Sequence, residues 1–169
     1  MIHTERNFHM TNEPRFACDD HCGRLARWLR TLGYDCTHDQ KIEDAALLRL
    51  ALDEDRIILT RDHHLAAHTL ARRVILLESY DPLIQVRQVL DTTGETVSPD
   101  RVFTRCTICN GPTAPTALES VADRLPPYVR KTQTVFRTCA SCNRIFWRAT
   151  HVQHMLKRLR AAGIITDNV

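Results

Sequence analysis

From residue 15 onward, short apolar runs alternate with amphipathic segments, the pattern of parallel strands joined by crossover helices. Residues 15–18, 34–37, 57–60 and 74–77 are the predicted strands. The run 57–60 is apolar at successive positions, as expected of a strand covered on both faces. In the predicted helix 23–32, Leu25, Trp28, Leu29 and Leu32 fall on one face, Arg24, Arg27 and Arg30 lie around the others, and Gly33 supplies the stop. A helix over 45–52 turns Leu47, Leu48 and Ala51 inward behind Glu43 and Asp44, whose charge suits the positive end of the helix dipole. Helices over 63–71 and 83–90, the second opened by Asp81-Pro82, complete an α/β unit with an open parallel sheet and flanking helices.

This unit covers residues 15–93, after a polar tail at 1–14 and before a polar linker at 94–104. The remainder, 105–169, has few large apolar side chains and ends in a basic helix running to residue 161. What it has instead is cysteine. Cys106-x-x-Cys109 and Cys139-x-x-Cys142 are separated by 29 residues, a spacing that lets two tight turns aim four thiolates at one ion. Four protein ligands leave no place for water, so the zinc expected there is structural, and its binding supplies folding energy to a module too small for a large core. Redox-active dithiols and an iron–sulfur cluster are the competing uses of the same spacing. Cys18, Cys22 and Cys36 read as small buried hydrophobes. His151 and His154 read as surface or phosphate-facing residues of the terminal helix, since the cysteines already fill the zinc shell.

Charge divides the chain in the same way. Residues 1–100 hold 12 Lys and Arg against 17 Asp and Glu, a net −5, whereas 101–169 hold 11 against 3, a net +8. A basic C-terminal third suits a polyanion, of which nucleic acid is the commonest. Around the cysteines stand Arg105, Arg130, Lys131, Arg137, Arg144 and Arg148 with Phe136, Phe146 and Trp147, and Lys157 and Arg158 follow on the terminal helix. Cations neutralise phosphates and aromatic rings stack on unpaired bases, although aromatics beside a zinc ribbon more often form its core. No apolar run is long enough to span a membrane and the N-terminus lacks the core of a signal peptide, so the expectation is a cytoplasmic protein without membrane attachment.

In an open parallel sheet, side chains just beyond the strands' carboxyl ends converge on one crevice. Asp19 and Asp20 follow the first predicted strand, Asp62 follows the third, and Asp44 stands at the mouth of the second helix. Carboxylates gathered there repel one another unless a cation is present, which points to Mg2+ or Mn2+. Caps and turns are the alternative use of the same aspartates, and Asp53 reads as solvated surface.

The stretches Asp19-Asp20-His21-Cys22-Gly23-Arg24-Leu25-Ala26-Arg27-Trp28-Leu29-Arg30, Leu32-Gly33-Tyr34-Asp35 and Arg56-Ile57-Ile58-Leu59-Thr60-Arg61-Asp62 resemble the Mut7-C family of predicted ribonucleases. The resemblance continues through Arg105-Cys106-x-x-Cys109-Asn110, Pro126-Pro127 and Cys139-x-x-Cys142 with Phe146-Trp147 and His151. It implies a PIN-like nuclease domain joined to a four-cysteine zinc ribbon. It also implies acidic site positions at Asp19, Asp62 and Asp44 and a Thr-Arg-Asp motif at Thr60, Arg61 and Asp62, whose threonine hydroxyl is expected to orient the neighbouring carboxylate. Asp20-His21-Cys22 departs from the family pattern. The expected function is a metal-dependent endoribonuclease whose catalytic Asp19, Asp44 and Asp62 hold Mg2+ or Mn2+. Arg61, Arg130, Lys131, Arg137, Arg144, Lys157 and Arg158 are the expected RNA contacts, with tRNA and ribosome-associated RNA among the candidate substrates. A non-catalytic RNA- or ribosome-binding protein with an idle nuclease fold is the alternative, and an adaptor built on the ribbon a third class.

Overall fold

The computed structural model describes residues 13–166, so most of the predicted tail lies outside the described residues. Four parallel strands, β1 (Arg15–Cys18), β2 (Asp35–His38), β3 (Ile57–Thr60) and β4 (Val74–Leu76), lie in the order β2-β1-β3-β4. The helices between and after them are α1 (Gly23–Thr31), α2 (Asp44–Asp53), α3 (His63–Ala67) and α4 (Pro82–Thr93). Helix α3 is shorter than the predicted 63–71 because His68 leaves helical geometry and its ring Nδ1 accepts the Leu70 N–H.

Strand alternation sorts the core into two layers. Phe16 and Leu59 point toward α1 and α4, while Ala17 and Ile58 point toward Leu47, Leu48 and Ala51 of α2 and Leu65 of α3. All four strand residues are fully or almost fully buried, which explains the unbroken apolar run in β3.

The ribbon is a three-stranded antiparallel sheet of β5 (Thr113–Thr116), β6 (Phe136–Cys139) and β7 (Ile145–Trp147), with the short helix α5 (Pro127–Thr132) before β6. Its core is minimal: Val121, Leu125 and Phe136 are buried, with Leu118, Val129, Ile145 and Trp147 packed at the edge. Phe136 is therefore structural here, and Trp147 packs against it while staying partly exposed.

Helix α6 (Thr150–Ala161), which the sequence reading groups with the ribbon in 105–169, packs against the sheet unit. Val152, Leu156 and Leu159 join Leu25, Trp28, Leu29, Val86 and Val89 in one buried cluster, and Ile164 and Ile165 follow them in. Their spacing announces a buried stripe but not its partner, and the ribbon's small core has no comparable apolar face to offer. No helix among the described residues is long and apolar enough to cross a membrane.

Polar contacts fix the ribbon to the sheet. Asn110 donates to Asp35 Oδ1 at 2.8 Å and accepts the Cys36 N–H at 3.1 Å, continuing the edge of β2 into the first cysteine loop. Asp35 also takes Arg56 Nη1 at 2.6 Å, with Arg15 and Arg105 at 3.5 Å. Burial works to raise the Asp35 carboxyl, but hydrogen bonds from Arg56 and Asn110 and the charges of Arg56 and Arg105 outweigh it and hold the group below its usual range. Gly33, at φ +90°, lets the linker pass against the end of α1, where a Cβ would lie 2.3 Å from the Arg101 carbonyl oxygen.

Candidate active site and metal-binding cluster

The chain runs from β1 to one side of the sheet for β2 and returns to the other side for β3, so the crevice beyond β1 and β3 is the topological switch point. Asp19 continues the ladder, donating its N–H to the Leu59 carbonyl at 3.0 Å. Its buried carboxylate accepts the Asp20 N–H at 2.7 Å on Oδ1 and the Thr60 hydroxyl at 2.6 Å on Oδ2. The same hydroxyl oxygen accepts the Asp62 N–H at 2.9 Å. Thr60, fully buried at the end of β3, thus ties both aspartates to one atom.

Asp62 is exposed and caps α3, its Oδ1 accepting the His64 N–H at 2.6 Å and the Leu65 N–H at 3.3 Å. Those two backbone donors hold its carboxyl below the usual range, so it is ionised near neutral pH, and Oδ2 takes no hydrogen bond among the described residues. Asp44 is the exposed first residue of α2. Asp19, Asp44 and Asp62 do not close into a ready group: among the described residues, the four cysteines are the one cluster of three or more such side chains arranged to hold an ion. The unusual residues beside Asp19 have plain roles. Cys22 is buried in the core, and burial together with the Asp19 charge pushes its thiol up to about 12, so it is no nucleophile. Exposed His21 places Nδ1 2.9 Å from Asp20 Oδ1.

In the ribbon, Cys106, Cys109, Cys139 and Cys142 bring their four Sγ atoms within 4.8 Å of one another. The Cys106–Cys142 and Cys109–Cys139 pairs are 3.7 and 3.4 Å apart, close to the roughly 3.8 Å edge of a tetrahedron with about 2.3 Å zinc–sulfur bonds. Gly111 makes the turn possible, since a Cβ there would lie 2.4 Å from Ser141 Oγ. Burial disfavours the Cys139 thiolate, but the Cys142 and Ser141 N–H groups and the Cys109 thiol outweigh it and bring it to about 7, while burial and the neighbouring thiols push Cys109 up to about 12. Four sulfur atoms at this separation are positioned to hold one metal ion.

With the acidic crevice and the cysteine cluster in place on one chain, the Mut7-C RNAse domain model matches residues 14–159. The chain belongs to that family. No curated protein and no solved structure matches it. Membership suggests a ribonuclease-like function, with RNA as substrate or partner.

On this Mut7-C scaffold the predicted cations separate by environment. Arg137 is bound within the ribbon, donating to Thr113 Oγ1 at 2.9 Å and to its carbonyl at 2.6 Å. Arg61 lies 3.2 Å from the ring centroid of exposed Tyr80, and Arg158 lies 5.3 Å from that of Trp28. Arg130, Lys131, Arg144 and Lys157 are exposed, as are His151 and His154. Reading the sequence missed the anchoring pair Asp35 and Asn110. Their signal was there, in an Asn directly after the second cysteine and an Asp opening β2.

Proposed function

We propose that the protein is a metal-dependent endoribonuclease in which Asp19 and Asp62, with Asp44 at the rim, hold Mg2+ or Mn2+. The observation that carries this reading is the single Thr60 hydroxyl bridging Asp19 and the Asp62 backbone at the switch point of the sheet. The donor set suits a hard cation: all donors are carboxylate oxygens, and Asp62 Oδ2 and the spare lone pairs of Asp19 remain for it. Because the carboxylates do not close on one point, direct ligation by one or two of them, completed by water and substrate phosphate, is the expected mode, as is usual for magnesium. Such a cation supplies an activated water and offsets charge on the reacting phosphate. Thr60 holds the Asp19 carboxylate in one orientation, and the α3 N–H groups keep the Asp62 carboxylate ionised. With water as nucleophile, the products carry 5′-phosphate and 3′-hydroxyl ends.

Zinc is the ion proposed for the cysteine cluster, where it holds the ribbon on the sheet through the Cys106–Cys109 loop. Incubating the protein with RNA and Mg2+ or Mn2+ and sequencing the fragment ends tests the function. Asp19→Asn and Asp62→Asn are each expected to slow cleavage at least about a hundredfold, with Asp53→Asn unchanged. Equal cleavage by all of them refutes the assignment. The open spacing of the carboxylates favours a second reading, an RNA- or ribosome-binding protein with an idle site, which predicts binding without metal-dependent fragments.

A further inference from the structure

The arginines of α1 are absorbed by none of this. A groove of about 810 Å³ runs from Asp20 and His21, beside the acidic crevice, along α1 to Thr107 and Ile108 in the first cysteine loop. Arg24, Arg27, Arg30 and Lys41 line it. The guanidinium groups of Arg24 and Arg27 are exposed and make no hydrogen bond or ion pair among the described residues. Successive arginines on α1 are three residues apart, a rise of about 4.5 Å each, so the positive charge follows the groove.

Arg30 provides an independent observation. Its side chain is buried, with the residue only 6% exposed, yet its hydrogen-bond partners are all neutral carbonyls: Cys36 at 2.7 Å, Thr107 at 3.2 Å and Ile108 at 2.9 Å. No carboxylate among the described residues pairs with it. Its hydrogen bonds are satisfied but its charge is not offset by a carboxylate, so it leaves positive charge in the wall of the groove. The two carboxylates of the groove are occupied locally, Asp20 with His21 and Asp39 with the Lys41 N–H.

A second hollow, of about 520 Å³, begins at the same Thr107 and Ile108 and continues past Arg124 and Arg144 to Phe146 and Trp147. The two hollows share Thr107 and Ile108 in their walls, the first with cations along α1 and the second with half-buried aromatic rings.

Resting on the nuclease reading for its direction, we infer that the two hollows together are the track of a single-stranded RNA: Arg24, Arg27 and Lys41 grip backbone phosphates next to the acidic crevice, and Phe146 and Trp147 stack unpaired bases beyond the cysteine loop. The strand thereby crosses the ion-held loop instead of lying over α5. Arg30 adds positive potential to the groove floor while its three hydrogen bonds hold the loop in place.

The test is anisotropy of a fluorescein-labelled oligouridylate with zinc-loaded protein, without added magnesium or manganese, over a series of salt concentrations. The triple variant Arg24→Gln, Arg27→Gln, Lys41→Gln touches only exposed side chains and should keep the fold and the zinc. Its plot of log affinity against log salt should lose about two units of slope, at roughly 0.7 per phosphate contact on a single strand. Arg49→Gln, on the exposed side of α2 outside the groove, should leave the slope unchanged. An unchanged slope in the triple variant, or a loss seen only on replacing Arg130 and Lys131, overturns the track, as does tighter binding of duplex RNA. Metal-dependent cleavage by the parent is scored separately. Cleavage with an unaltered slope removes the groove and leaves the nuclease, and an altered slope without cleavage does the reverse.

Discussion

Replacing Thr60 by Val tests whether one hydroxyl organises the acidic crevice. Val keeps the β-branched shape that suits the end of β3, so packing in the fully buried position is nearly unchanged and the loss is chemical. Two interactions go: the 2.6 Å donation to Asp19 Oδ2 and the 2.9 Å acceptance from the Asp62 N–H. A hydrogen bond to a charged group contributes about 1.5–3 kcal/mol, and the donor left behind adds a penalty of order 1 kcal/mol, so stability should fall by about 2.5–4 kcal/mol. Freed from Thr60, the Asp19 carboxylate can rotate about χ2 and its metal-facing oxygen is no longer held. If about half of the lost energy had gone to holding that oxygen in the transition state, cleavage slows roughly ten- to thirtyfold, at about 1.4 kcal/mol per tenfold. The assay is single-turnover cleavage under saturating enzyme across a magnesium titration, with a denaturant melt run beside it. Thr60→Ser retains the hydroxyl and should recover most of the rate even if it recovers less of the stability. The reasoning fails if Val cleaves like the parent at every magnesium concentration, or if Ser is as slow as Val.

Three further outcomes are expected. Purified protein should contain about one zinc per chain, and Cys139→Ser should lose it together with the ribbon's proteolytic resistance; elemental analysis finding iron or no metal refutes the zinc assignment. Leu159→Ala, in a fully buried position, should destabilise the sheet unit by about 2–5 kcal/mol, measured by denaturant unfolding followed at Trp28; an effect confined to the ribbon would contradict the packing of α6. Asp35→Asn should be less stable than the parent at neutral pH. Because the folded protein holds the Asp35 carboxyl below its ordinary value, its contribution is present above about pH 4 and is lost as pH falls through the depressed value, so parent and variant should converge in acid; a constant difference across that window contradicts the ion-pair account.

Strands β1 and β3 were legible because burial on both sheet faces leaves an apolar run that few other structures produce, and their predicted bounds agree with the structure. The cysteine cluster was legible because four ligands in two tight turns constrain one another. Helix α6 shows the limit of such reading: Val152, Leu156 and Leu159 declare a buried face, but a stripe does not say what covers it. Thr60 depended on register, since only the pairing of β1 with β3 sets its hydroxyl against Asp19. Arg24 and Arg27 looked like an ordinary solvated helix face, and only the proximity of Thr107 and Ile108, more than seventy residues on, turns that face into the wall of a groove.

The return of α6 to the sheet unit makes the ribbon an insertion, and that imposes an order on biosynthesis. Strands β1 to β4 leave the ribosome first, the cysteine loops next, and Leu156 and Leu159 after both. Until that helix arrives, Trp28 and its neighbours present an uncovered apolar surface, however complete the four strands may be. A chain released early carries the acidic residues on an unfinished core, and exposed apolar surface of that kind is what chaperones act on. A fully covered core is thereby reserved for chains that have been translated through the ribbon and have folded back upon themselves.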